Sequence, residues 1–441
     1  MRTETARGLL AGVALWAGLT ACSTAADRSP EASTPWTSDD AVFAEPRIPG
    51  RPLALLWDAK RDRHLLSRLD PETMRGTRRV PLGPQGSATS AASPGGNRLV
   101  FSSGRRHVLV VDPVRMRLLR KVELPPRFFV TDLAWVEDRV VIATMIRRQA
   151  TRFVRIDPAN GEVLGVRRLA GDAFRYAHAP EGIVVLASKE TAPTPEAPGP
   201  TTIAALHSSG DLRSAVLEEI PSGYFVPEGA RIGDRVEPAL AVRGSTATVV
   251  GVDGTIANVD LTDFEVTVEG RDDSFFAALG RWMTPPAEAK IVNATSLHAQ
   301  WASPDALVVS GHRMTATETE GGHLDYDSAP AGVTVFDPRD WSTRMLDDEG
   351  SIATPAGDLV LVSREYVPGE ERGESIGLRA YDESGRLAWQ VLEGDAVSQP
   401  VVDGGYAFVT YGWNEVRLRA VDLDTGKVVG SRPIPITILP L

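Results

Sequence analysis

The sequence predicts an all-β chain built from repeated four-stranded antiparallel units, and three observations predict it. Short apolar runs recur along the chain, and no amphipathic helix long enough to organise a domain separates them. Each unit reverses at an Asp-led turn, with Asp70, Asp112, Asp157, Asp337, Asp382 and Asp422 spaced 40 to 45 residues apart where neighbouring units are adjacent. Within the runs, apolar residues stand at consecutive positions instead of alternating, as strands covered on both faces require. Four strands per unit at this period make a β-propeller blade. The count is eight blades, or else seven; a β-sandwich array fits the regular turn spacing less well.

The chain begins with a basic start, Arg2 and Arg7, followed by an apolar stretch from Leu9 to Leu19. That stretch is shorter than the roughly 20 residues needed to span a bilayer, and it reads as a secretory signal over 1–21. Leu19-Thr20-Ala21-Cys22 follows and is similar to the lipobox of bacterial lipoproteins. This resemblance implies lipid attachment at Cys22 and cleavage before it, hence an extracytoplasmic protein anchored to the cell membrane. Cys22 is the single cysteine of 441 residues, so no disulfide forms within the chain. An unpaired thiol in an exported protein calls for a role, and lipidation supplies one. Residues 22–46 are rich in Ser, Thr, Pro, Ala and Asp and read as a tether.

The blade region is expected over 47–441. Hairpins are read at HVLVVDPVRMRLLRKVELP from His107, RFVRIDPANGEVLGVRRL from Arg152, GVTVFDPRDWSTRML from Gly332, LRAYDESGRLAWQVL from Leu378 and LRAVDLDTGKVVGSRPI from Leu418. Asp accepts a backbone hydrogen bond from the residues that follow, Pro fixes φ, and Gly allows φ > 0, so the chain reverses there. A first unit, about 48–86, lacks its innermost strand, which the C-terminal ITILPL can supply. Inserts are expected at about 191–200, 271–295 and 313–330. In the second, Phe275, Phe276, Leu279, Trp282 and Met283 share one face of a short helix ended by Pro285-Pro286. That helix would cover one face of the ring, or else offer its apolar stripe to a partner.

SPGGNRLVFSS and WASPDALVVSG resemble the repeats of TolB-like and YVTN-type propellers. AVDLDTGKVVG and AYDESGRLAWQV are similar to quinoprotein-like repeats. The resemblance extends over nearly the whole mature chain, but its motifs specify blades and not an activity. Quinone-dependent dehydrogenases of this kind use a vicinal disulfide, which a chain with one cysteine cannot form.

Three patterns carry residue types suited to chemistry. Gly373-Glu374-Ser375-Ile376-Gly377 has the spacing of a serine-hydrolase elbow, but runs into a strand and not a helix. Asp422-Leu423-Asp424-Thr425 has part of a calcium loop and lacks the remaining ligands. His312, His323, Asp325 and Asp327 lie in a polar stretch with ligand-type side chains but without a metal-ligand spacing. The remaining histidines share no motif.

Loss of the leader takes the net charge from −11 to −12, because Arg2, Glu4 and Arg7 leave with it. An acidic surface excludes nucleic acid as a partner class. These readings give a membrane-anchored, non-enzymatic platform for an envelope protein, without cofactor. The alternatives are a glycan or small-molecule module, or an envelope hydrolase or lyase working in the funnel of the ring.

Overall fold

The computed structural model describes residues 53–440 apart from 59–62, 71, 74, 84–88, 104–105, 127, 138, 148, 190–195, 227–232, 270–290, 319–323, 365–374, 412–416 and 434–438. All regular elements among them are strands. They form six sheets of four strands and one of nine. The nine-stranded sheet contains two four-strand meanders, 172–225 and 291–347, joined through the short strand Asp234–Glu237. Counted this way the described residues form eight four-stranded units, here termed blades: blade 1 (53–83 with 439–440), 2 (90–123), 3 (129–170), 4 (172–225), 5 (239–269), 6 (291–347), 7 (352–391) and 8 (401–433).

Packing explains why these runs are strands. In blades 3 and 4 the strands Val140–Ile146 and Gly182–Ser188 are buried along almost their whole length, because each lies between two neighbouring blades. The last strand of a blade, such as Arg117–Glu123 or Val163–Ala170, is largely exposed. Eight apolar clusters separate consecutive blades. Val110 with Leu133 and Val154 joins blades 2 and 3, and Leu361 with Val409 joins blades 7 and 8. Leu69 with Phe408 and Leu418 joins blade 8 back to blade 1, so the ring closes.

The closing strand is the one expected from the C-terminal segment. Leu439 and Pro440 pair antiparallel with Leu55 and Ala54 and complete the first sheet. The hairpin chemistry also follows the sequence. Asp70, Asp112, Asp157, Asp337, Asp382 and Asp422 each accept a backbone N–H from two to four residues on, at 2.7–3.0 Å.

The turns carry a second device. At the left-handed position stand either glycines, such as Gly385 and Gly426, or the bulky Met116, Phe264 and Trp341. Each of the three bulky side chains packs into the cluster shared with the preceding blade. That burial offsets the roughly 1–2 kcal/mol that φ > 0 costs a side-chain-bearing residue. Beside the glycines the preceding blade reaches across instead. Trp389 Nε1 donates to the Leu423 carbonyl of the next blade at 2.8 Å, and its ring lies where a Cβ on Gly426 would come within 2.7 Å of it. Arg344 of blade 6 donates to the Ser384 and Glu383 carbonyls of blade 7 in the same manner. Arg120 and Arg167 latch onto the Ala159 and Gly210 carbonyls in the same way, and Arg213 adds a latch onto the Thr262 carbonyl in the turn that carries Phe264.

Blade 6 departs from the others. Ile291–Ser303, Ala306–Glu318 and Leu324–Phe336 are each 13 residues long. The stretch from 313 onward, expected as an insert, continues as paired strand through Glu318 and resumes at Leu324. Asp234–Glu237 pairs antiparallel with Gly223–Phe225 and parallel with Ala294–Ser296. It thereby bridges the outer strand of blade 4 to the first strand of blade 6, across blade 5.

Candidate functional site

The bridge places a charged cluster in the interior. Arg175 lies on the first strand of blade 4, Arg235 and Glu237 on the bridging strand, and Ser296 on the first strand of blade 6. Arg175 Nη2 sits 3.1 Å from Glu237 Oε2 and also donates to Ser296 Oγ, which itself donates to Glu237 Oε2 at 3.1 Å. Arg175 Nε donates to the Leu297 carbonyl at 2.8 Å. Arg235 Nε stands 2.7 Å from Glu237 Oε1, a close ionic contact whose angle does not meet hydrogen-bond geometry. Burial pushes the Glu237 carboxyl up, but Arg235 and Arg175 outweigh it and hold the group below the usual carboxylate range. The carboxylate is buried and faces a guanidinium at each oxygen. It ties blade 4 to blade 6 through the bridging strand.

A second polar cluster joins blades 6 and 7. Asp347 accepts the Gly350 and Glu349 N–H groups at 2.8 and 2.9 Å, the Tyr381 hydroxyl at 2.7 Å and Arg379 Nη1 at 3.0 Å. Burial, and then the hydrogen bond to Asp347, raise the Tyr381 phenol well above its ordinary value. This cluster is also committed to holding the fold.

The arrangement nearest to reactive chemistry lies between blades 3 and 4. His178 Nε2 is 3.6 Å from Oδ2 of the fully buried Asp132. Close by, the Tyr176 hydroxyl contacts Thr131 Oγ1 at 2.8 Å. A buried carboxylate beside a partly exposed imidazole can orient a general base, although 3.6 Å is too long for a hydrogen bond. No sequence pattern marks this pair, since Asp132 and His178 are 46 positions apart and belong to no motif.

The residues singled out from sequence fall as follows. Cys22 and His323 lie outside the described residues, as does the helix expected within 271–290. His312 pairs with Pro330, whereas Asp327 and Asp325 pair with Thr315 and Thr317, three and five positions further along the ribbon. At roughly 3.3 Å per residue, the register puts the backbone of Asp327 about 10 Å from that of His312. Among the described residues no three His, Cys, Asp or Glu side chains come together as a metal ion requires. Ser375 is buried and leads into the strand Leu378–Asp382, and its hydroxyl accepts the Gly377 N–H, so it is no hydrolase elbow. Asp422 spends its carboxylate on the Thr425 N–H and hydroxyl, as a hairpin turn does.

No family model matches the chain, and no curated protein matches it. Solved structures do resemble it. Dihydro-heme d1 dehydrogenase NirN in complex with DHE aligns with a TM-score of 0.55 at 13% identity, covering 92% of this chain and 82% of that one. BamB from Moraxella catarrhalis aligns with a TM-score of 0.42 at 12% identity, over 84% and 93% of the two chains. The β-propeller domain of Myceliophteria_thermophila Cps50 (Swd1) gives 0.40 at 13%, over 79% and 97%. Identities this low speak for the fold alone. Together with the closed ring of four-stranded sheets, the likeness to NirN establishes that this chain is a β-propeller.

Proposed function

We propose that the chain is exported, lipidated on Cys22, and works outside the cell membrane as a non-enzymatic platform for an envelope protein. The observation that carries the reading is the outer rim. Val163–Ala170 ends the sheet of blade 3, so one of its edges pairs with no other strand among the described residues. It also exposes Val163, Leu164 and Val166 at 39%, 42% and 42%. Single exposed aliphatics are ordinary, but three on one open edge strand favour a partner adding a strand there. Two interior clusters favour the same reading, because Arg175–Glu237 and Arg379–Asp347 join blades and stiffen the scaffold. Two acyl chains on Cys22 would suffice for stable anchoring, which one chain does not provide.

The test is recovery of partners from solubilised membranes, comparing wild type with Cys22→Ser and with Val166→Lys. The proposal expects Cys22→Ser to leave the membrane fraction and Val166→Lys to stay there while losing a partner. Full membrane retention of Cys22→Ser would refute the anchor. Unchanged partner recovery with Val166→Lys would refute the rim as the docking edge.

A second reading, a hydrolase, a lyase or a small-molecule site, has the Asp132–His178 pair in its favour. It predicts that His178→Ala abolishes turnover or ligand binding while leaving the melting temperature within about 2 °C, and an unchanged activity would remove it.

A further inference from the structure

On the face of the ring that carries the Asp-led turns, the wedge between blades 6 and 7 is open. It holds a cavity of about 560 Å³, within the roughly 300–1,000 Å³ range of ligand pockets. Each of the two flanking wedges carries an aromatic side chain. Between blades 5 and 6, the Arg243 guanidinium lies 4.4 Å above the Trp301 ring and donates to the Pro304 carbonyl, and Trp341 packs into the same cluster. Between blades 7 and 8, Trp389 lies against Gly426. Arg344 occupies the register position of Trp389, paired with Val335 where Trp389 pairs with Ala380. Its slim side chain reaches the blade 7 turn without filling the space beneath.

The walls of the cavity divide by chemistry. Val308, Val335, Leu346, Leu359 and Val360 give an apolar floor. The mouth is acidic, with Asp305, Asp337, Asp358, Asp382 and Glu383. Asp337 and Asp382 are matched by Arg339 and Arg386, and Arg344, held by two neutral carbonyls, keeps its positive charge at the wall. Asp358 and Glu383 form no ion pair among the described residues, and Asp305 contributes only to the field at Arg339. An apolar floor under a rim with more carboxylates than guanidinium groups complements one kind of side chain, a long aliphatic stem ending in a cation.

We infer that this cavity is a docking pocket for a lysine side chain presented by an extended basic segment of a partner protein. The inference rests on the platform reading and names the chemistry of one of its contacts. The four methylenes of lysine would lie over Leu346, Leu359 and Val360, and the ammonium would meet Asp358 and Glu383 at the mouth.

The test uses the soluble Cys22→Ser chain and a fluorescein-labelled pentalysine peptide at fixed ionic strength, followed by polarisation. Ala306→Trp fills the cavity and leaves every charge in place, while Asp358→Asn with Glu383→Gln removes rim charge and leaves the cavity. Each should weaken binding about tenfold, roughly 1.4 kcal/mol, and Nε-acetylated peptide should bind no better than background. If Ala306→Trp lowers the melting temperature, Leu359→Phe, a smaller intrusion from the other wall, is read instead and should weaken binding at least threefold. Unchanged affinity in the filled variants, or equal binding of the acetylated peptide, overturns the pocket. That outcome leaves the platform reading intact, since membrane recovery of a partner tests it separately. Pentalysine binding with no membrane partner would retain the pocket and refute the platform.

Discussion

Two buried carboxylates show how the same burial gives opposite pH behaviour depending on neighbours. Asp403, 6% exposed at the seam between blades 8 and 1, has an Oδ1 without a hydrogen-bond partner among the described residues, and burial raises its pKa to about 6. A carboxyl raised above its unfolded value near 4 favours the folded state while protonated, and this advantage is lost as pH rises from about 4 to about 6. At neutral pH the ionised Asp403 therefore costs stability. Asp403→Asn should stabilise the fold by about 1–3 kcal/mol at pH 7.5 and change it little at pH 4, as denaturant titrations at the two pH values would show. Glu237 runs the other way. Its pKa is lowered by Arg235 and Arg175, so its contribution is present above the unfolded value of about 4.5 and lost as pH falls through the folded one. Glu237→Gln leaves Arg175 buried without its counter-charge and should destabilise by about 3–5 kcal/mol at pH 7. A loss below 1 kcal/mol in urea unfolding would show that the cluster does not tie the blades. Neither residue was legible in the sequence. Nothing in FRYAH or DRVEP separates an interior charge from a solvated one, because the pairing spans 62 positions from Arg175 to Glu237.

At the scale of elements, turns were the most legible feature and register the least. The Asp-led hairpins follow from local chemistry that a few residues contain, and all six aspartates make the expected bond. What lies across the blade boundary does not. The D-x-x-T-G pattern predicts a left-handed glycine at 426, but not that Trp389 of the preceding blade rests on it. Two glycine substitutions separate these effects. Gly405 has φ +83° and no atom within 4 Å of an added Cβ, so Gly405→Ala should cost only the backbone term, about 1–2 kcal/mol. Gly426→Ala adds the displacement of Trp389 and should cost at least about 1 kcal/mol more. Equal losses in thermal unfolding would mean that the Trp389 latch contributes nothing. The long strands of blade 6 were misread for a related reason. Polar residues such as Thr315, Thr317 and Glu318 look like loop, yet they pair in register because the ribbon extends beyond the apolar core.

For the whole molecule, the repeat period fixed the architecture, and the incomplete first unit pointed to ring closure by the C-terminus. Closure rests on two residues of pairing, Leu439 and Pro440, together with the Leu69–Phe408 cluster. A chain ending at 433 should keep its β-sheet content but lose protection first at the seam, with hydrogen exchange accelerated in 53–58 and 401–411 while blades 3 to 5 stay protected. Uniform acceleration would mean that the ring unfolds as a single unit, without a weak seam. Function was less legible than fold. Blade motifs constrain turns and packing, whereas any docking edge or pocket is assembled from residues of different blades. The proposed lipidation of Cys22 rests on a pattern local in sequence, and location and role depend on it. Mass spectrometry of the mature N-terminal peptide from membranes tests that claim most directly. Lipidation predicts a peptide beginning at Cys22 and carrying a diacylglycerol on its thiol. A peptide beginning elsewhere, or an unmodified Cys22 on a protein free in the aqueous fraction, would contradict it.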